Sequence, residues 1–152
     1  MEQEIPINLW LLSGIIGACI RDSYSFIVVK LLGLTKHFIW DFGATIFIKE
    51  SEINTIPGTI IGLLADLVIS CLLSIIICAL IDWQRKRHYL IYGLGVSLTA
   101  WLLFFGIVLH DIHATVKNAP VDLTTNIIAI IGHLIFGLVT AFVYVKLSRN
   151  RK

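Results

Sequence analysis

The stretch IPGTIIGLLADLVISCLLSIIICALI, Ile56 to Ile81, decides the fold. Every fourth residue from Gly58 is small: Gly58, Gly62, Asp66, Ser70, Ser74 and Cys78. The positions between them are almost entirely Leu, Ile, Val and Ala. So long an apolar run exceeds the roughly 20 residues that a helix needs to cross a bilayer. In lipid, oily side chains gain little by meeting one another. Helices associate instead through small residues that let backbones approach, helped by buried polar contacts. A four-residue step overshoots a full turn by about 40°, so this seam winds around its helix. It suits right-handed crossings or contact with more than one neighbour.

The whole chain fits this reading. Of its 152 residues, 57% are hydrophobic and only 14% charged, with a mean hydropathy of +0.89. A soluble domain has about a quarter of its residues charged, so the composition is that of a membrane protein. There is room for about four spans with short connections. The expected fold is all-α, a polytopic transmembrane bundle of four helices forming a single membrane domain over 1–152. The spans are placed near 7–30, 57–81, 89–109 and 127–146. A net charge of +2 is too small to point to nucleic acid. Cys19, Cys71 and Cys78 lie within apolar runs and read as packing residues, not disulfides. Gly17-Ala18-Cys19 loosely resembles a lipoprotein cleavage site, but Met1-Glu2-Gln3-Glu4 lacks a basic region, which argues against a signal peptide or lipidation.

Span one carries its own four-step line, Ser13, Gly17, Arg21 and Ser25, beside Gly14 and Ala18. The connection Leu31 to Pro57 is too long to be structureless in a compact domain. Its mixture of Phe38, Trp40, Phe42 and Phe47 with Lys36, His37, Asp41 and Lys49 predicts a segment in the membrane interface. In span three Gly93, Ser97 and Ala100 permit close packing; in span four His133, Gly137 and Ala141 stand four apart. Arg85, Lys86, Arg87, Lys146, Arg149, Arg151 and Lys152 gather on one side of this topology, which makes that side cytoplasmic by the positive-inside rule. Both termini then face the cytoplasm, in the cytoplasmic membrane, with Trp10, Trp83, Tyr89 and Tyr144 as an inner aromatic belt.

Three charges stand inside the spans. Arg21, Asp22 and Asp66 lie roughly 12–14 Å from the outer ends of their helices, near the midplane. An unpaired charge there costs about 2.5–3.5 kcal/mol. The sequence therefore pairs Arg21 with Asp66 across a close contact and sends Asp22, about 100° around the helix, toward another neighbour or a cavity. His133, six residues into span four from the outer side, is the nearest further polar candidate. The set reads either as an ion or substrate path or as a structural ion pair that fixes helix register, and spans three and four add no repeated polar lining. His110 and His113, three apart, have the spacing of a shared metal ion with Asp122 or His37 as a third ligand. Exposed loop histidines at that spacing are common, so no metal and no cofactor is expected. Nothing resembles a nucleophile–base set or a phosphate-binding loop, so no enzyme is expected either.

Two resemblances bear on the family. Asn54-Thr55, Tyr89-Leu90, Gly93, Trp101, Pro120, Thr125-Asn126, Gly132 and Phe136-Gly137-Leu138-Val139 resemble an uncharacterised family of small four-span bacterial membrane proteins. That resemblance implies a four-helix fold and brings no known activity. Gly14-Ile15-Ile16-Gly17-Ala18-Cys19-Ile20-Arg21 resembles the opening motif of the small dimeric fluoride channels, and Pro57-Gly58-Thr59 echoes the start of their second span. The pore asparagine that this likeness implies is replaced by Leu63, and Gly95-Val96-Ser97-Leu98-Thr99-Ala100-Trp101 lacks the Thr- and Ser-rich break of their third span. The sequence thus favours a non-enzymatic protein acting through helix–helix association along the seam Ser13, Gly17, Gly58, Gly62, Ser70 and Ser74. Its expected partners are the lipid bilayer and a second copy or another membrane protein. The competing reading is a small ion channel or transporter using Arg21, Asp22, Asp66 and His133.

Overall fold

The computed structural model describes residues 6–108 and 122–149, and these are all-helical. Four helices are long and apolar enough to cross a membrane: Ile7–Leu31, Ile56–Trp83, Tyr89–Gly106 and Leu123–Arg149. This is the architecture of a multi-pass membrane protein. Helix α1 spans Ile7–Phe26 and ends in a π turn, Ile27–Leu31, closed by the Leu32 N–H on the Ile27 carbonyl at 3.1 Å. Two short helices follow, α2 at Ile39–Ala44 and α3 at Glu50–Ile53. Then come α4 at Ile56–Trp83 and α5 at Tyr89–Leu103, the latter also ending in a π turn, Phe104–Val108. The last helix, α6, spans Leu123–Arg149.

Local chemistry sets the starts. Thr55 caps α4 by accepting from the Gly58 N–H at 3.2 Å, with Pro57 in the first turn, where a missing N–H costs nothing. Asp122 caps α6 by accepting from the Thr125 N–H at 2.6 Å. That bond, with the Thr125 hydroxyl, holds the Asp122 carboxyl below its ordinary pKa. The cap also explains why the helix begins at Leu123, earlier than apolarity alone indicates: the polar residues Thr124, Thr125 and Asn126 form its first turn.

The buried face of α4 consists of Gly58, Gly62, Asp66, Ser70, Ser74 and Cys78, joined by Ile77 and Ile81, while Leu64, Val68, Leu72 and Ile76 point outward. The seam meets several neighbours in turn. Gly58 lies against the carbonyls of Glu52 and Ile53 on α3, and Gly62 against the Trp40 carbonyl and Ala44 on α2. Ser70 and Ser74 lie against Gly14 of α1, where the Ser74 hydroxyl donates to the Trp10 carbonyl. On its other side α1 sets Gly17 against Thr140 and Phe136 of α6. Helix α5 touches the bundle mainly through α6, with Gly93 and Gly137 backbone to backbone.

The connection between the first two spans folds inward. All six residues of α2 are buried, although they include Trp40 and Asp41. Its start is tied down twice: the Ile39 N–H donates to Ser25 of α1 at 3.0 Å, and the Phe38 N–H donates to the Asp41 carboxylate at 2.8 Å. Burial pushes the Asp41 carboxyl above its ordinary pKa. Irregular backbone at this depth is tolerated where protein covers it.

The aromatic belt differs from expectation. Trp10 and Tyr144 are buried in the core with Ile77, Cys78, Ile81 and Phe136, and the Tyr144 hydroxyl donates to Asp82. Of the four, only Trp83 is strongly exposed. Tyr144 gains by leaving the lipid face because its hydroxyl reaches a partner there, whereas Trp10 Nε1 has none among the described residues. The turn from α4 to α5 holds Arg85, Lys86 and His88 at positive φ (50°, 62° and 51°), anchored by the Lys86 N–H on the Ile81 carbonyl and by Lys86 Nζ on Ser148, 2.7 Å away.

Candidate functional site

Arg21 projects from the middle of α1 into the space between α4 and α6. It is 2% exposed, and its guanidinium pairs with the Asp66 carboxylate of α4. The same guanidinium curls back along its own helix: Nε and Nη2 donate to Asp22 Oδ1 at 3.1 and 3.0 Å. Asp22 is therefore not aimed at a separate neighbour. The 100° between the two backbones is spanned by the length of the arginine side chain. One cation thus bridges two carboxylates. The Phe136 ring of α6 covers it from a further side, 5.4 Å from the guanidinium carbon to the ring centre.

His133 stands on α6, one turn from Phe136. Its Nδ1 donates to the Ala129 carbonyl at 2.8 Å, since a carbonyl can only accept. That leaves Nε2 as the second ring nitrogen. Phe105, in the π turn that ends α5, meets the imidazole edge-on with centres 6.0 Å apart. Phe105 also meets Phe42 of α2 at 5.0 Å.

These groups share a cavity of about 230 Å³ at mid-helix level. Arg21, Asp66 and His133 are its polar wall. The remainder is apolar: Ile39 and Gly43 from α2, Ile69 and Leu73 from α4, then Ala100, Leu103, Phe104 and Phe105 from α5 and its π turn. Every spanning helix and the inward connection therefore contribute. Phe105 of this lining packs in turn on Phe42 of α2. The thinnest wall is the side between α4 and α5, where Ile69, Leu73 and Ala100 are half-buried and Leu103 is 50% exposed.

Of the residues singled out in the sequence, Arg21, Asp22 and Asp66 form one cluster, and His133 shares the cavity without touching them by hydrogen bond among the described residues. Ser13, Gly17, Gly58, Gly62, Ser70 and Ser74 are buried at helix contacts within the chain. His110 and His113 lie outside the described residues. Among those described, no group of three or more His, Cys, Asp or Glu could hold a metal ion. The sequence reading missed α2 as a wall of the site, together with Phe105 and Phe136. Aromatic residues in apolar spans carry no signal of their own. A signal for α2 did exist in Asp41, three residues after Phe38, the spacing at which a carboxylate accepts from a helix-starting N–H.

No protein family, curated protein or solved structure matches the chain.

Proposed function

We propose that the protein is a small, non-enzymatic membrane transporter that moves an ion or small solute by way of the midplane cluster of Arg21, Asp66 and His133. The observation that carries this reading is the 230 Å³ cavity, which holds the ion pair and is lined by every span. Ionisable groups inside a membrane are functional candidates by default, because each is costly to place there. The use of the small residues also favours it. The seams face α1, α2, α3 and α6 of the same chain, so they leave little to recruit a partner.

Purified protein in liposomes should show a saturable flux in a screen over small inorganic and organic ions of either charge. Asp66→Asn should remove that flux. A wild-type protein no faster than empty liposomes across the screen would overturn the reading. Helix association is the second reading, favoured by the outward face of α5, which sets Gly95 and Thr99 among Ile91 and Leu102 with nothing against Gly95.

The proposed setting is the cytoplasmic membrane with both termini inside, supported by the basic turn at Arg85–Arg87 and the basic end of α6. Reporter fusions after Lys152 and beside Lys117 should report opposite faces. A Lys152 fusion on the outer face would reverse the assignment.

A further inference from the structure

The walls of the cavity also indicate what kind of solute it takes. Arg21 brings one positive charge, while Asp22 and Asp66 bring two negative ones, so the cluster has one formal negative charge in excess when both carboxylates are ionised. Among the described residues no other packed element offsets it. Between Tyr89 and Gly106 there is no charged residue; on α6 the sole titratable group facing the cavity is His133; and Asp41 of α2 is engaged with the Phe38 N–H. Arg21 is used on both sides, and its side chain is 3% exposed against 11% for Asp66. The more exposed member of the ion pair is therefore its carboxylate. Only Oδ2 of Asp66 has a partner among the described residues.

The same cavity is lined by the aromatic rings of Phe104 and Phe105 with Leu103 at the end of α5, and by Leu73, two turns along α4 from Asp66. An aromatic face attracts a cation through its quadrupole, most strongly where water is excluded. A carboxylate on one wall and rings on another make a poor site for an anion. They also give a neutral molecule no electrostatic advantage. Size narrows the class further. An apolar cavity of about 150 Å³ takes up benzene, so this one of about 230 Å³ has room for roughly nine non-hydrogen atoms, and its open side takes a few more.

We infer that the cavity binds a small lipophilic organic monocation, its charge against Asp66 and its apolar body against Phe104, Phe105, Leu103 and Leu73. The inference rests on the transport reading, and it adds that the solute enters between α4 and α5 from the bilayer, where the wall is thinnest.

Three probes of nearly equal shape test it: benzyltrimethylammonium, its neutral isostere neopentylbenzene, and the anion phenylmethanesulfonate. Each is titrated into the purified full-length protein by calorimetry, with protein-free micelles as the blank. The cation should bind at least tenfold more tightly than the isostere, and the sulfonate should not bind. Asp66→Asn should weaken the cation at least tenfold. Ala100→Phe, which fills the cavity from the far wall without touching the ion pair, should do the same and covers the case in which Asp66→Asn does not fold. Equal binding of cation and isostere, a preference for the sulfonate, or cation binding unchanged in either folded variant would overturn the inference. If none of the three binds while the liposome screen finds a transported ion, the cation class fails and the transport reading stands. If neither binding nor flux appears, both fail.

Discussion

Arg21→Gln is expected to cost about 3–5 kcal/mol of stability, the range for stranding buried charge by removing its partner. Asp66→Asn should cost less. The asymmetry follows from the geometry: without Asp66, Arg21 still holds Asp22 at 3.0 Å, whereas without Arg21 two carboxylates lose the one cation they pair with among the described residues. The double variant Arg21→Gln/Asp66→Asn should recover part of the arginine loss. It stops short of full recovery, because Asp22 stays behind with its side chain 22% exposed. Thermal unfolding of the four proteins in detergent reads the cycle directly. Single losses that simply add would mean that the two residues do not interact. The same proteins separate the two roles of the pair. A structural contact leaves the double variant stable and competent; a transport site leaves it stable and inert.

The second large effect concerns glycines two residues apart on one helix. A Cβ at Gly93 would run into the Gly137 carbonyl, and one at Gly137 into both the Gly93 carbonyl and the Ser97 hydroxyl. At Gly95 a Cβ would meet nothing within 4 Å. Gly93→Ala and Gly137→Ala should therefore each destabilise by about 1–3 kcal/mol, as overpacking does, because neither backbone can move aside without parting α5 from α6. Gly95→Ala should be neutral or stabilising by up to about 1 kcal/mol through helix propensity. The signs differ, which makes the comparison sharp. Equal tolerance at Gly93 and Gly95 in a detergent unfolding assay would show that the helices do not cross at Gly93.

Most of the architecture was legible in the sequence, for a physical reason. Spanning helices must be apolar along about 30 Å, and tight helix contacts in lipid must be small, so both leave long regular signals. The six small positions of α4 are the clearest case, since each is buried. The depth argument placed Arg21 and Asp66 at one level, and rise per residue alone suffices for that. What the pattern could not carry was reach and curl. Asp22 was sent elsewhere because a helical wheel describes where bonds leave the backbone, not where a long guanidinium returns. The connection was read as interfacial because its aromatic and charged residues mix in that manner. Its start is held by the bond from Ile39 to Ser25 of α1, a matter of three-dimensional proximity, and by the bond from Phe38 to Asp41, whose three-residue spacing the sequence does show. The cavity was illegible for the same reason: it is the space left among five elements, and no single stretch encodes it.

The crossing of Gly93 and Gly137 has a mechanical side. It joins α5 to the bundle near one end, while the other end reaches the cavity with Leu103, Phe104 and Phe105. From Gly93 to Leu103 is about 15 Å of helix. A tilt of about 10° around that fulcrum carries the tip of this lever arm by roughly 2.6 Å, somewhat more than the about 1–2 Å by which packed helices shift at interfaces. The gearing is favourable: two residues without side chains form the bearing, and Ile91, Gly95, Thr99 and Leu102 on the outer face of the arm are exposed. The width of the slot beside Asp66 is thus governed from a point two to three turns away.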